Sequence, residues 1–247
     1  MRPVQECQLS GSGYRKNNEA LDPARALWES EDLEEVKRLV TLYPLLAHKA
    51  TAGKVTYGPQ TGRPKHEIKN ATDVHKHYSA LMDYFTVNDE VRMDLQQLKI
   101  VRDWKMVRNR VRQNWLLLNS NDDETVRDVT AASFRLADEG DWKAALKTID
   151  DGLFGVGPAT ASMILSLRYP TIAPYSEEAF RVAGIPSSKY TLKEYEIFHE
   201  LMNNKADNIG CTPRDLEQAI YAAVYESYYE VDDTPASPPK KKSKKSR

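Results

Sequence analysis

The sequence predicts an all-α protein. Apolar residues recur at spacings of three and four along most of the chain, which is typical of helices with one buried face. No segment shows the strict alternation of apolar and polar residues that marks a strand. The chain has 247 residues, of which 40% are hydrophobic, and this is enough for one domain of roughly 200 residues with its own core. We therefore expect one domain of about ten helices.

The predicted elements begin near residue 21. Asp22 followed by Pro23 predicts a helix start, because proline suits the first helical position. A loop containing Gly and Pro is predicted over 51–66 and a further helix over 70–86, with several more helices after it. Between these, a second helix carries an apolar stripe formed by Leu33, Val36, Leu39 and Val40.

Two polar segments flank the helical domain, which we place at 21–231. Residues 1–20 contain Gly and Ser among polar side chains and are predicted to form a disordered arm. Residues 232–247 contain prolines followed by KKKSKKSR and are predicted to form a disordered tail. A basic run of this kind is typical of a nuclear localisation signal, so we expect the nuclear import machinery as a partner and the nucleus as the location. The alternative is a solvated basic tail with general affinity for anions.

Charge and cysteine content exclude several classes. The net charge is −1, and because the tail carries six basic and two acidic residues, the rest of the chain is acidic. Any nucleic-acid binding must therefore depend on a local patch. With only Cys7 and Cys211, the chain has no disulfide framework, four-cysteine iron–sulfur cluster or four-cysteine zinc site. His75 and His77 lie two residues apart on different helix faces, so no zinc site is expected, and no apolar run is long enough for a membrane span.

A helical hairpin is predicted over 141–168. The first helix ends near Asp151-Gly152, where we expect the glycine in the left-handed C-cap position. Pro158 opens the second helix, whose buried face is predicted to consist of Ala161, Ile164 and Leu165. The sequence GVG joins the two helices through a tight turn.

The turn has the features of a phosphate site. The first N–H groups of a helix have no partner within the helix and lie at the positive end of its dipole. Glycines allow a phosphate to approach those groups closely, so an anion is held without any lysine. The alternative is an ordinary tight corner in which Gly-x-Gly only permits close packing of two helices.

Two segments carry a resemblance to a known family. LFGVGPATASMILSL (153–167) and PTIAPYSEEAFRV (170–182) resemble the helix-hairpin-helix motif of the DNA glycosylase superfamily of base-excision repair and the segment after it. WKMVRNRVR, VGPATAS and YSEEAF together resemble a little-characterised eukaryotic branch of that superfamily. The resemblance implies a glycosylase-like helical domain that binds double-stranded DNA, including damaged DNA.

The resemblance also assigns roles to backbone groups of the hairpin. It implies that the amides of Gly155, Gly157 and Thr160 hold a DNA phosphate. It further implies that a monovalent cation is held by three backbone carbonyls, and no other cofactor is expected. The carbonyls belong to Asp151, Leu153 and Val156.

A catalytic role depends on the segment after the hairpin. Glycosylases use a carboxylate to stabilise a cationic sugar or to activate water. One alignment with the family places Ser176 at the aspartate position and another places Glu177 there, so Glu177 is our candidate acid, ahead of Glu178. The alternative is that Ser176 caps a helix and the two glutamates occupy its first turn. Ala159 stands where lyases of the family have lysine, so an active enzyme would be a monofunctional glycosylase.

A basic segment at 98–115 is a second candidate for phosphate binding. Its apolar residues form a stripe at helical spacing, and we place Arg102, Lys105 and Arg112 on one face as phosphate ligands. The alternative is a solvated charged face. The segment contains six cations against the single acid Asp103: Lys99, Arg102, Lys105, Arg108, Arg110 and Arg112.

Three functions remain open on the sequence alone. The first is a nuclear, DNA-binding monofunctional glycosylase. The second is a nucleic-acid binder that kept the fold and lost the catalytic aspartate. The third is a scaffold whose hairpin packs against another protein, because a shared fold does not establish a shared activity.

Overall fold

The structure is a computed structural model that describes residues 19–51, 71–88, 92–108, 115–185, 189–226 and 228–229. Within these residues all regular structure is helical, which confirms the predicted all-α class. A short 3₁₀ turn, Glu19–Leu21, precedes eleven α-helices. They are α1 (Asp22–Ser30), α2 (Leu33–Thr51), α3 (Ala71–Val87), α4 (Leu95–Arg108), α5 (Trp115–Asn119), α6 (Asp123–Asp138), α7 (Trp142–Gly152), α8 (Pro158–Arg168), α9 (Glu177–Val182), α10 (Leu192–Ile209) and α11 (Pro213–Glu226).

The early helices agree with the sequence pattern. Helix α1 begins at Asp22 with Pro23 in its first turn, and helix α3 covers the segment predicted at 70–86. Val36 and Leu39 of the α2 stripe are buried in the core. The predicted loop beyond its first residue, residues 1–18 of the arm, and the tail lie outside the described residues.

Side-chain caps fix where the later helices begin. In each case an oxygen of the capping residue accepts a hydrogen bond from a backbone N–H in the first turn, which satisfies one of the unpaired donors there. The Thr191 cap is part of a capping box, because Glu194 accepts from the Thr191 backbone in return. The caps of α6, α7, α9 and α10 are Asp122, Asp141, Ser176 and Thr191.

Helix α8 lies at the centre of the fold. It packs against α3, α4, α7 and α10, and every residue from Pro158 to Leu167 is buried. The sequence predicted one buried face, but the Ala, Ser and Thr side chains allow neighbouring helices to approach from all sides. The turn before α8 reaches the surface through Phe154, Gly155 and Gly157, and within the helix itself only Arg168 at the C-terminal end is partly exposed.

A buried ion pair joins α4 to α11. Arg108 Nη2 lies 2.5 Å from Glu217 Oε1, and both side chains are only 1% exposed. The Arg108 guanidinium also lies 4.1 Å from the centre of the Tyr221 ring. The sequence placed Arg108 among the cations of a surface patch, which is wrong because α11 covers it.

None of the described helices is both long and apolar enough to cross a membrane.

Candidate functional site

The turn between α7 and α8 uses its glycines for different purposes. Gly155 has φ 73°, in the left-handed region that favours glycine. The predicted left-handed C-cap at Gly152 is wrong, because Gly152 is the last helical residue of α7. A Cβ at Gly152 would lie 2.9 Å from both methyl carbons of Val129, so this glycine permits close packing of α7 on α6. Gly157 is extended, with φ −112° and ψ −179°, and is the N-cap of α8.

Two amide groups of the turn are open donors. The N–H of Val156 donates to Leu153 O at 3.3 Å, and the N–H groups of Thr160 and Ala161 donate to Gly157 O at 2.8 and 2.9 Å. No acceptor is assigned within the described residues to the N–H of Gly155 or Gly157. Both glycines are partly exposed. The start of α8 therefore presents unpaired donors at the positive end of a helix dipole.

Lys105 extends this positive region. Its Nζ lies 2.7 Å from Thr160 Oγ1 in the first turn of α8. Helix α4 therefore brings an ammonium group to the end of α8 where the helix dipole is already positive. Two residues that the sequence assigned separately to phosphate binding, Lys105 and Thr160, are in direct contact.

Of the other two cations assigned to phosphate binding, one is buried in an ion pair and the other lies outside the described residues. Arg102 is buried and its Nε donates to Asp103 Oδ1 at 2.9 Å. It would have to leave that pair to contact a phosphate. Arg112 lies outside the described residues. Of the three, Lys105 is the cation that the described residues place beside the turn.

An acidic group that the sequence analysis missed lies beside Gly157. A Cβ built at Gly157 would be 3.9 Å from Asp150 Oδ1. Burial raises the pKa of Asp150, and the charge of Asp151 raises it further. An ionised Asp150 therefore opposes an anion at the start of α8. The only sequence signal was its place in the last turn of a helix that a tight turn folds back toward α8.

The three carbonyls expected to hold a cation belong to the end of α7 and the turn. Leu153 O accepts the Val156 N–H, and a carbonyl oxygen has a second lone pair that stays available. The side-chain carboxylate of Asp151 pairs with Lys147. The described residues contain no cluster of three or more His, Cys, Asp or Glu side chains suited to a metal ion.

The segment before α9 is tied to the hairpin. The N–H of Tyr175 donates to Ser162 Oγ of α8 at 3.0 Å. The hydroxyl of Tyr195 donates to Ala173 O at 3.0 Å. The first bond holds the start of α9 against the second helix of the hairpin, and the second ties the same segment to α10.

Ser176, Glu177 and Glu178 have three different environments. Ser176 is fully buried, and its hydroxyl accepts from the Ala179 N–H as the cap of α9. Glu177 is the first residue of α9 and is partly exposed. Glu178 is buried near Arg108, and burial raises the pKa of its carboxyl. Glu177 is therefore the more exposed acid of this segment, whereas Glu178 belongs to the core.

No known protein family, no curated protein and no solved structure gives a significant match to this chain. The function is therefore argued from the hairpin and its surroundings.

Proposed function

We propose that this is a nuclear protein with a helix-hairpin-helix DNA glycosylase-like domain, which grips a phosphate of double-stranded DNA at the turn between α7 and α8. One observation carries the proposal. The open N–H groups of Gly155 and Gly157 and the Lys105 ammonium lie at the same N-terminal end of α8. Donors and positive charge at a helix N-terminus favour a phosphate group.

The mode of binding follows from the groups involved. Backbone amides and a lysine contact the sugar–phosphate backbone and carry no information about base sequence. Binding should therefore be independent of sequence and sensitive to salt. A monovalent cation on the carbonyls of Asp151, Leu153 and Val156 would add positive charge on the same side of the turn.

The decisive variant is Gly157→Val. The backbone at Gly157 is extended, a conformation that any residue adopts, and a Cβ there meets no atom closer than 3.9 Å. The variant should fold with only a small loss of Tm, because valine is a poorer N-cap than glycine, while its side chain covers the amide. Loss of a charge-assisted hydrogen bond should weaken binding to a short duplex at least about tenfold, as measured by fluorescence anisotropy. Wild-type affinity in a folded Gly157→Val protein would refute the hairpin as the phosphate site.

A matched pair of lysines on α4 tests the cation. Lys105→Ala should weaken DNA binding and lower the slope of log affinity against log salt by about one. Lys99→Ala is the control, because Lys99 lies on the same helix six residues earlier and makes no described contact with the turn. Equal effects of the two substitutions would show that only the overall charge matters.

We further propose a link to base-excision repair, with Glu177 as the acid of a monofunctional glycosylase. Its support is the partial exposure of Glu177 and the bond between Tyr175 and α8. The test incubates the protein with duplexes that carry different damaged bases and then cleaves abasic sites with alkali. Breaks that disappear in Glu177→Gln would support the enzyme.

The competing proposal is a DNA binder without catalysis. It is favoured by Ser176, which one alignment places at the family's catalytic position and which serves here as a buried cap. Absence of breaks on every lesion, together with DNA binding that needs Gly157, would decide for it. Failure of the wild-type protein to bind DNA would leave the scaffold.

The nuclear location has its own test. Removal of residues 240–247, which hold six basic residues, should shift the protein toward the cytoplasm in fluorescence microscopy. Unchanged nuclear enrichment of the truncated protein would contradict the role of the tail in import.

A further inference from the structure

Two large apolar side chains lie exposed next to the turn. Phe154 is 66% exposed within the turn and Leu117 is 54% exposed on α5. The neighbours of Phe154 in the chain stabilise the fold: Leu153 is buried in the core, and Gly155 makes the turn. The Phe154 side chain, by contrast, is mostly exposed. The Phe154 ring therefore adds little to the stability of the domain.

Asn121 holds the backbone of Phe154 in place. The Phe154 N–H donates to Asn121 Oδ1 at 2.9 Å, and Asn121 Nδ2 donates to Phe154 O at 2.9 Å. The same Nδ2 donates to Leu118 O at 2.8 Å, so one buried amide joins the end of α5 to the turn. Asn121 thus fixes the backbone of Phe154 beside that of Leu118, and Leu117 is the residue before Leu118 on α5.

An exposed ring on a fixed backbone is suited to binding. Association is opposed by the entropy lost when flexible groups become ordered. A side chain on a backbone that is already fixed loses less entropy on binding. An aromatic ring also has only two rotatable bonds and offers a large flat contact area. Phe154 is therefore a preorganised apolar side chain, and Leu117 is exposed on the helix that Asn121 joins to the turn; we call these two residues the Phe154 surface.

The charges around the Phe154 surface select its partner. Asp122 caps α6 and Asp123 is its first residue, directly after Asn121, and Asp151 is the last residue but one of α7, just before the turn. Asp123 pairs with Arg127 and Asp151 pairs with Lys147, so these ion pairs offer a phosphate no net positive charge, whereas the glycine amides and Lys105 attract phosphate to the start of α8. A DNA strand held at the turn would therefore direct its uncharged part, the bases, toward Phe154.

We propose that Phe154, supported by Leu117, stacks on an exposed base face in DNA whose base stack is interrupted, with Asn121 as the positioning residue. The inference rests on the proposed function and adds a preference among DNA structures. Aromatic side chains stack on bases regardless of sequence, because every base has a flat face. In a continuous duplex those faces are covered by neighbouring bases, whereas a gap exposes them.

The experiment compares a short intact duplex with the same duplex carrying a one-nucleotide gap, using the full-length chain in fluorescence anisotropy. Wild type should bind the gapped duplex more tightly. Phe154→Ala should lower affinity for the gapped duplex at least about fivefold and leave the intact duplex nearly unchanged, while Phe154→Trp should keep the preference. Ile197→Ala is the control, since Ile197 is 47% exposed on α10 and makes no described contact with the turn.

The outcomes separate this inference from the proposed function. Equal loss on both duplexes, or no loss on either, overturns the stacking role of Phe154, and the phosphate site stands if Gly157→Val still weakens binding at least about tenfold. No binding of either duplex by wild type overturns both. A dimer in sedimentation that Phe154→Ala converts to monomer would assign the Phe154 surface to a second copy of the chain and also overturn stacking.

Discussion

The ion pair between Arg108 and Glu217 should be among the most important polar contacts for stability. Arg108 Nη2 lies 2.5 Å from Glu217 Oε1, Nη1 lies 3.4 Å from Oε2, and the two side chains are almost fully buried. We consider Glu217→Gln, which keeps the shape of the side chain and removes its charge. The guanidinium would then stay buried with one nearby carboxyl, that of Glu178.

The expected loss follows from the cost of an uncompensated buried charge. Removal of one partner of a buried pair destabilises a protein by about 3–5 kcal/mol. Because Glu178 still offsets part of the charge, we take the lower end, about 3 kcal/mol. In a domain of this size each kcal/mol shifts Tm by about 2–4 °C, so Tm should fall by about 6–12 °C.

The control lies on the same helix. Glu226 of α11 pairs with Arg38 at 2.6 Å, but both side chains are partly exposed. Glu226→Gln should therefore cost less than about 1 kcal/mol. Thermal and urea unfolding followed by circular dichroism measure both variants, and a double replacement, Arg108→Met with Glu217→Leu, should recover most of the loss. If Glu217→Gln unfolds at the same temperature as Glu226→Gln, the reasoning about the buried pair is wrong.

Three further predictions concern single groups. Burial raises the pKa of the Glu178 carboxyl in the folded state above its ordinary value of 4.5. Because the folded protein then binds more protons than the unfolded chain, its stability should fall as pH rises from 4.5 through the raised pKa. The free energy of urea unfolding should change less with pH in Glu178→Gln than in wild type, and parallel pH profiles would contradict the assignment. Asp150→Asn should strengthen binding of a short duplex about two- to fivefold, because it removes a negative charge near Gly157. The difference in affinity between variant and wild type should shrink at acidic pH, where Asp150 is protonated. An unchanged or weaker affinity of the variant at neutral pH would count against an anion at that position. Asn121→Ala should lower the free energy of unfolding by about 1–3 kcal/mol and speed hydrogen exchange at the Phe154 amide. Asn119 is exposed, so Asn119→Ala should do neither. Unchanged exchange at Phe154 in the Asn121 variant would show that Asn121 does not fix the turn.

Most of the helical pattern was predictable because it depends on local spacing. The stripe of α2, the extent of α3 and the change from α7 to α8 at GVG all follow from residues a few positions apart. Tyr221 and Tyr225, which lie four residues apart on α11, are buried in the core as such spacing indicates. The glycines of the candidate phosphate site were predictable for the same reason, since Gly155 and Gly157 lie two residues apart in the turn.

The partners of charged groups were not predictable in the same way. Lys105 and Arg108 belong to one basic run, yet Lys105 contacts Thr160 and Arg108 lies buried against Glu217, 109 positions later. Their sequence surroundings are similar, so only the arrival of α8 and α11 separates a surface cation from a core cation.

The amino-acid sequence by itself determined the helical class, the position of the turn and the glycines that shape it, because helix periodicity and backbone freedom are properties of short segments. Only the tertiary structure decided that Asp150 faces the start of α8 and that Asn121 fixes Phe154, 33 positions away. These contacts depend on how distant helices pack, and they determine which charges and which apolar surface a bound molecule meets.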